Sequence, residues 1–358
     1  MQTLKPLVAL NSLKKVSIFL AFIAIMAVAA WLMWPQHLRT PPPPQGFSAP
    51  NFSATHSSVS VNSIEPISPI PDSIPGIDPR KVALGKLLFH DTSLSQDNTI
   101  ACASCHRFDR GGADGKKYSI GIKGQFSPVN APTVFNSTFN FRQFWDGRAE
   151  TLWAQVEGPI HNKLEMGSNW PEVIAKLKKN TAYQDAFVQI YGSGIIKENI
   201  SDAIASFVQT LITPNSRFDK FLKGDTSAIT AYEFSGYVRF TSYGCIACHQ
   251  GMNIGGNLYE KLGIMRDYFA DRGNVTEADK GRNALTNNPD DLHIFKVPSL
   301  RNVALTAPYL HDGSSATLEK TVATMGKYQL GIAIPEDDIA RIVAFLRTLT
   351  GEYNGKPL

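Results

Sequence analysis

The four cysteines of the chain stand in two copies of one short motif. The first copy contains Cys102, Cys105 and His106, and the second contains Cys245, Cys248 and His249. Cysteines at positions i and i+3 lie one helical turn apart, so both thiols can bond to one porphyrin while the adjacent histidine ligates its iron. Each C-x-x-C-H motif is therefore the attachment signature of a c-type haem, and the sequence predicts two.

Two other kinds of site use paired cysteines. Zinc half-sites and thioredoxin-like redox pairs both contain C-x-x-C, but neither needs a histidine directly after the second cysteine in both copies. With all four cysteines used for haem, none is left for a disulfide or a thiol nucleophile.

The ligand opposite each histidine decides what a haem does. A strong sixth ligand gives an electron-transfer haem, whereas an open position admits a small molecule. Outside the apolar N-terminal segment the candidate methionines are Met166, Met252, Met265 and Met325. Methionine more often fills hydrophobic cores, and spacing alone does not choose among the four.

Mainly helical segments surround the two motifs. Apolar residues recur at helical spacing after residue 79, between residues 200 and 211, and from Ile339 to Leu349. Gly85–Phe89 precedes the first motif and Gly236–Phe240 precedes the second, which indicates a short internal repeat. We therefore predict a mainly α fold of two cytochrome c-like haem domains packed together, spanning residues 76–225 and 226–358.

Composition excludes several classes of protein. The chain has 358 residues, is 43% hydrophobic and 18% charged, and carries a formal net charge of +4. It is neither a disordered chain nor a nucleic-acid binder, because it has ample apolar content and its charges form no basic stripe.

The first 75 residues contain no predicted domain. Residues 1–34 read as a signal anchor, because the stretch from Val16 to Trp34 is uncharged, follows lysines and is long enough for one membrane-spanning helix. A cleaved signal peptide is the alternative, since Ala27–Ala29 has the A-x-A form. Residues 35–75, rich in proline and serine, read as a tether. Both alternatives export the rest of the chain, so we expect it on the periplasmic side of the bacterial inner membrane or free in the periplasm.

Several longer motifs resemble one known family. In the first half they are Gly85–Phe89, Cys102–His106, Gly111–Gly115, Asn130–Asn136 and Phe144–Glu150, and in the second half Lys296–Val303, Leu305–Tyr309 and Met325–Gly331. Over roughly residues 76–350 the chain resembles the bacterial di-haem cytochrome c peroxidases. The same superfamily contains the MauG enzymes, which oxidise tryptophan side chains of a partner protein.

The resemblance implies a role for particular residues. His249 and Met325 would ligate the second, high-potential haem, and His106 would ligate the haem that reacts with peroxide. Glu165, as acid and base, and Gln155 would lie on the distal side of that haem, and Trp145 would lie between the two haems. Asn130 and the main-chain oxygens of Thr306 and Pro308 match a calcium site.

The sequence departs from the family at one informative position. Many of these peroxidases carry a histidine sixteen residues after the first haem histidine, and it closes the peroxide haem until the other haem is reduced. Ile122 occupies that position and has no group that binds iron, so we expect the first haem to be open in the ferric state. His161 is the one other residue that we consider able to close it.

Three functions follow from these expectations. The first is reduction of hydrogen peroxide with electrons from a cytochrome c, a cupredoxin or a quinol-linked donor. The second is a MauG-like oxidation of a partner protein, for which Tyr328 would have to replace Met325 as haem ligand. The third is a non-catalytic electron carrier. Homodimers are usual in the family, although no stretch of this chain demonstrates one.

Overall fold

Helices form most of the regular structure between residues 66 and 358, the range that the computed structural model describes. They are α1 Pro79–Phe89, α2 Cys102–Cys105, α3 Leu152–Gln155, α4 Glu157–His161, α5 Trp170–Leu177, α6 Thr181–Tyr191, α7 Lys197–Gln209, α8 Arg217–Leu222, α9 Ala231–Ser242, α10 Tyr268–Arg272, α11 Asn283–Thr286, α12 Leu318–Met325 and α13 Glu336–Arg347. A π-helical turn, Gly326–Leu330, directly follows α12.

The described residues contain only two small sheets, each of two antiparallel strands. Strand β1 (Tyr259–Lys261) pairs with β2 (Ile294–Lys296), and strand β3 (Glu352–Tyr353) pairs with β4 (Lys356–Pro357). The prediction of a mainly helical fold is therefore confirmed.

Two helix pairs give the repeat its physical basis. Helix α1 packs closely on α7, and α9 packs in the same way on α13. A Cβ atom on Gly85 would lie 1.8 Å from the Ala203 carbonyl oxygen, and one on Gly236 would lie 1.9 Å from the Arg341 carbonyl oxygen. Both glycines are needed because two helix backbones approach too closely for any side chain.

Two hydrophobic clusters form the main cores. The first is built from residues between Leu84 and Leu211, and the second from Ile67 together with residues between Phe218 and Leu349. The C-terminal hairpin of β3 and β4 returns to the first cluster, against which Tyr353 and Leu358 pack. The end of the predicted second domain therefore contacts the core of the first.

A second repeated feature joins the two halves at one threonine. Asn136 and Asn302 both adopt left-handed backbone conformations, with φ of 60° and 59°. The side-chain amides of both donate to the Thr213 hydroxyl, at 2.7 Å from Asn136 and 3.0 Å from Asn302. The segments that precede these asparagines, residues 130–135 and 296–301, are therefore equivalent in the repeat.

The last part of the predicted tether is folded. Ile67 and Ile70 are 2% and 0% exposed, and the Pro66 carbonyl accepts a hydrogen bond from the Gly251 N–H at 2.7 Å. The Ser68 carbonyl accepts a hydrogen bond from Arg301 at 2.9 Å. The prediction that the tether extends to residue 75 is wrong for this part, because Ile67 belongs to the second core.

The predicted membrane anchor, residues 1–34, lies outside the described residues. Within residues 66–358, none of the helices has both the length and the apolar character needed to cross a bilayer.

Candidate functional site

Both cysteine motifs form the same tight turn. In the first, helix α2, the backbone N–H of His106 donates to the Cys102 carbonyl at 3.0 Å, and in the second the N–H of His249 donates to the Cys245 carbonyl at 3.0 Å. None of the four cysteines forms a disulfide. Burial raises the pKa of Cys102 to about 12 and that of Cys245 to about 11.

The two motif histidines are held in the orientation that a metal ligand needs. The Nδ1 atom of His106 lies 3.2 Å from the Gly112 carbonyl oxygen, and that of His249 lies 3.4 Å from the Ile254 carbonyl oxygen. Burial lowers the pKa of both rings, to about 4 for His249. A neutral ring whose Nδ1–H faces a carbonyl leaves Nε2 free for iron.

A cavity of about 520 Å³ adjoins the second motif. Its mostly apolar wall includes Cys245, Cys248, His249 and Met325, the last residue of α12. The two thiols, the imidazole and the thioether thus surround one space of the size of a cofactor site. These residues fit a covalently bound haem c with histidine and methionine as axial ligands.

The structure separates Met325 from the other residues considered as the second ligand. Met166 is 2% exposed within the first core, and Met265 is 59% exposed. The Tyr328 hydroxyl lies 3.0 Å from the Asp271 carboxylate, and Tyr328 does not line the cavity. Met325 alone among the four methionines lines it.

A partly buried carboxyl group, that of Glu165, adjoins the first motif. Asn162 donates its side-chain N–H to Glu165 Oε1 at 2.7 Å. Burial raises the pKa of Glu165, although Asn162 and the positive charge of Arg148 oppose the shift. The Glu165 charge in turn contributes to the raised pKa of both Cys102 and Cys105, so this carboxyl group lies within electrostatic reach of the haem-attachment thiols.

Ile122 packs against the loop that carries Glu165. Its backbone N–H donates to the Glu165 carbonyl at 2.8 Å, and its side chain is 2% exposed. A Cβ atom on Gly167 would lie 2.3 Å from Ile122 Cδ1, and one on Gly121 would lie 2.0 Å from the Leu164 carbonyl oxygen. Residue 122 is thus next to the predicted acid and base, in a buried apolar position.

Gln155 and His161 end two successive short helices, α3 and α4. Gln155 is partly buried, and its backbone N–H donates to the Thr151 carbonyl at 3.0 Å. His161 is exposed, and its ring packs edge-on against Trp170 with the centroids 5.9 Å apart. The described contacts of His161 are therefore with an indole ring.

The segment from Asn130 to Pro132 is shared by both sites. The Pro132 carbonyl lies within hydrogen-bond reach of His106, and Pro132 also lines the cavity beside His249. The indole N–H of Trp145 donates to the Asn130 carbonyl at 2.9 Å. Trp145 thus lies on the cavity wall next to a segment that touches both motif histidines.

The residues predicted to bind calcium all belong to the cavity lining. Asn130, Thr306 and Pro308 all line the cavity, and the side-chain N–H of Asn130 donates to the Lys116 carbonyl at 2.8 Å. Calcium binding by these residues therefore stays a prediction from the family resemblance.

Sequence reasoning missed a buried polar group beside Trp145. His311 Nε2 lies 2.6 Å from Asp279 Oδ1, and Arg272 forms ion pairs with Asp279 and Asp312 at 2.6 and 2.5 Å. Burial alone would raise the pKa of Asp279, but Arg272 and its other donors hold that pKa well below its usual range. Arg272 pairs with both carboxylates, so these side chains form a buried ion-pair network.

One sequence signal could have found this group. Leu310-His311-Asp312-Gly313 repeats the pattern of Phe144-Trp145-Asp146-Gly147, and Leu310 and Phe144 share a left-handed backbone, with φ of 70° and 69°. His311 therefore occupies in the second half the position of Trp145 in the first. The two ring centroids lie 6.4 Å apart.

Residues 79–227 match the protein family described as di-haem cytochrome c peroxidase. The chain is 44% identical to the cytochrome c551 peroxidase of Nitrosomonas europaea over 80% of this chain and 85% of that protein. This chain belongs to that family. It is also 50% identical to the cytochrome c peroxidase Ccp of Escherichia coli strain K12 over 81% of its own length, but it spans only 62% of that relative. The predicted class, a di-haem peroxidase that carries two haem c groups, is confirmed at the level of the family.

MauG proteins are more distant. The MauG protein of Methylophilus methylotrophus is 30% identical over 78% of this chain and 87% of that protein. Among solved structures, a MauG-like protein associated with microbial copper homeostasis superposes with a TM-score of 0.69 at 28% identity, over 79% of this chain and 95% of that one. The fold is thus common to both branches, and the site residues must distinguish them.

Proposed function

We propose that this protein reduces hydrogen peroxide to water with electrons from a cytochrome c or a similar small donor. The observation that carries the proposal is the partly buried Glu165 carboxyl group beside the first motif, next to Ile122, which replaces the iron-binding histidine of many family members. The cytochrome c peroxidase names of the relatives support the substrate and the type of donor.

Glu165 moves the proton that the reaction requires. Hydrogen peroxide takes up two electrons and two protons to give two water molecules, and its O–O bond breaks more readily when one oxygen loses a proton and the other gains it. A haem bound through Cys102, Cys105 and His106 supplies the iron and the redox chemistry. The Glu165 carboxylate accepts the proton from one oxygen and returns it to the other, and Asn162 holds the carboxylate in place. Gln155 is proposed as a further polar group on that side.

The second site receives electrons. Its cavity combines an imidazole and a thioether, and methionine ligation raises the reduction potential of a haem. We assign Trp145 to the path between the sites, because it lies on the cavity wall and bonds to the segment that reaches His106.

The position of Met325 argues against a MauG-like function. That alternative needs a tyrosine as the second axial ligand, whereas the Tyr328 hydroxyl bonds to Asp271 outside the cavity lining. Met325 lines the cavity and supports the peroxidase.

Four further parts of the proposal rest on sequence or resemblance. A calcium ion is assigned to Asn130, Thr306 and Pro308, which are all among the residues that line the cavity. The uncharged segment Val16–Trp34 supports an anchor in the bacterial inner membrane with the body in the periplasm. Membrane anchoring would also suit a quinol-linked donor. A homodimer is proposed from the family resemblance alone.

Electron paramagnetic resonance of the fully ferric, haem-loaded protein tests the proposal, with a parallel assay of peroxide-dependent oxidation of reduced cytochrome c. We expect one high-spin and one low-spin signal and turnover without prior reduction. Two low-spin signals without turnover would identify an electron carrier. Oxidation of a partner protein's tryptophan in place of cytochrome c would establish the MauG-like alternative.

A further inference from the structure

Lys296 is a buried lysine without a protein partner. Its side chain is 6% exposed, and within residues 66–358 it makes neither a hydrogen bond nor an ion pair through Nζ. Burial is the only influence on its pKa, which falls to about 8. Lysine is almost never buried unless its charge is paired, so an anionic partner is missing from this environment.

The location of Lys296 indicates which anion is missing. Lys296 lines the cavity of the second motif, where it is the single Lys or Arg among the lining residues. A c-type haem attached through Cys245 and Cys248 brings two propionate carboxylates into this space. No other lysine or arginine of the cavity wall competes for them.

The position equivalent to Lys296 in the first half of the repeat holds an uncharged residue, Asn130. Lys296 stands two residues before Pro298, as Asn130 stands two residues before Pro132, and both prolines bring a carbonyl to a motif histidine. Asn130 is satisfied by the Lys116 carbonyl. The buried cation is therefore specific to the second site and is not a requirement of the repeated loop.

Lys296 is also joined to the proposed electron path. Its backbone N–H donates to the Trp145 carbonyl at 2.7 Å, while the indole N–H of Trp145 donates to the Asn130 carbonyl at 2.9 Å. Trp145 is thus held by both equivalent residues, Lys296 and Asn130.

We propose that Lys296 binds a propionate of the haem held by His249 and Met325, and thereby positions that haem beside Trp145 and raises its reduction potential. This inference rests on the haem ligands of the proposed function. A positive charge near the iron disfavours the ferric state, which carries one more positive charge than the ferrous state. Lys296 is a positioning residue and takes no part in the chemistry of peroxide.

The test is an equilibrium redox titration of the second haem in the full-length, haem-loaded protein. In Lys296→Met, which keeps an unbranched side chain as far as the ε position and removes the ammonium group, the ferric to ferrous ratio at a fixed ambient potential should rise at least about tenfold. This is equivalent to about 59 mV for one electron. Lys296→Arg should stay within about threefold of wild type. Lys261→Met removes an exposed lysine from the paired strand β1 and should change the ratio less than about twofold.

An unchanged ratio in Lys296→Met, with two haems per chain, would overturn the inference. Lys296→Gln replaces the methionine variant if that variant does not fold. Peroxide turnover by the wild type is measured separately. Its absence would refute the proposed function and leave the potential shift intact, so the two failures are distinguishable.

Discussion

The two haem-attachment loops share a backbone arrangement but face different side chains. Beside the first lie a partly buried carboxyl group, Glu165, and a buried apolar residue, Ile122. Beside the second, a thioether, Met325, and a buried cation, Lys296, line the cavity. The repeat thus gives both loops the same backbone frame, and the proposed function assigns reaction with peroxide and electron transfer to the two loops by the residues that face each of them.

The two cores also place different side chains at equivalent positions of the repeat. Phe135 and Arg301 occupy equivalent positions of the repeat, and each is 1% exposed. In the first half this position is filled by an aromatic ring within the hydrophobic cluster. In the second it holds an ion pair with Asp219 at 2.7 Å, with both side chains fully buried. One backbone position can therefore serve either hydrophobic packing or a polar network.

The largest effect is expected from removing the acid and base of the first site. Glu165→Gln should lower peroxide turnover by about 10²–10⁴-fold, because the amide cannot accept and return the proton. Steady-state oxidation of reduced cytochrome c measures the loss, and the absorption of the second haem should stay unchanged. Glu150→Gln, at a side chain that is 74% exposed, is the matched control and should retain activity. Wild-type turnover in Glu165→Gln would contradict the assignment.

The next effect is on stability. Arg301→Met should lower the free energy of unfolding by about 3–5 kcal/mol, because it leaves the buried Asp219 charge without its partner. Denaturant titration measures the change. Arg347→Met removes an exposed ion pair with Glu319 and should cost less than about 1 kcal/mol. If the two variants were equally stable, the second core would not depend on its ion pair.

The smallest expected effect is a shift in the pH dependence of kcat/KM, which tests the role of Glu165. Asn162 donates a hydrogen bond that lowers the pKa of Glu165 against the effect of burial. Asn162→Ala should raise this pKa further, so that kcat/KM is lost at higher pH than in the wild type as the solution is acidified. The pH profile of kcat/KM measures the shift. Asn180→Ala removes a helix cap elsewhere, at the start of α6, and should leave the acid limb of the profile in place.

A feature of this protein can be predicted from its sequence when the residues that form it are neighbours in the chain. The C-x-x-C-H motifs could be recognised because their chemistry depends on neighbouring residues. Met325 follows His249 by 76 positions, so spacing could not select it, and only the family resemblance did. Lys296 looks like an ordinary surface lysine until the fold buries it. Ile67 falls within the predicted tether because its neighbours are prolines and serines, and its burial depends on contacts with residues far along the chain.

The folded end of the tether determines how the protein can be shortened. A chain that begins at residue 76 lacks Ile67 and Ile70, and it leaves Arg301 without the Ser68 carbonyl. It also removes the carbonyl of Pro66, which bonds to Gly251, two residues after the second haem histidine. A soluble fragment for expression should therefore begin no later than residue 66, because a later start would uncover the second core beside its haem-attachment loop.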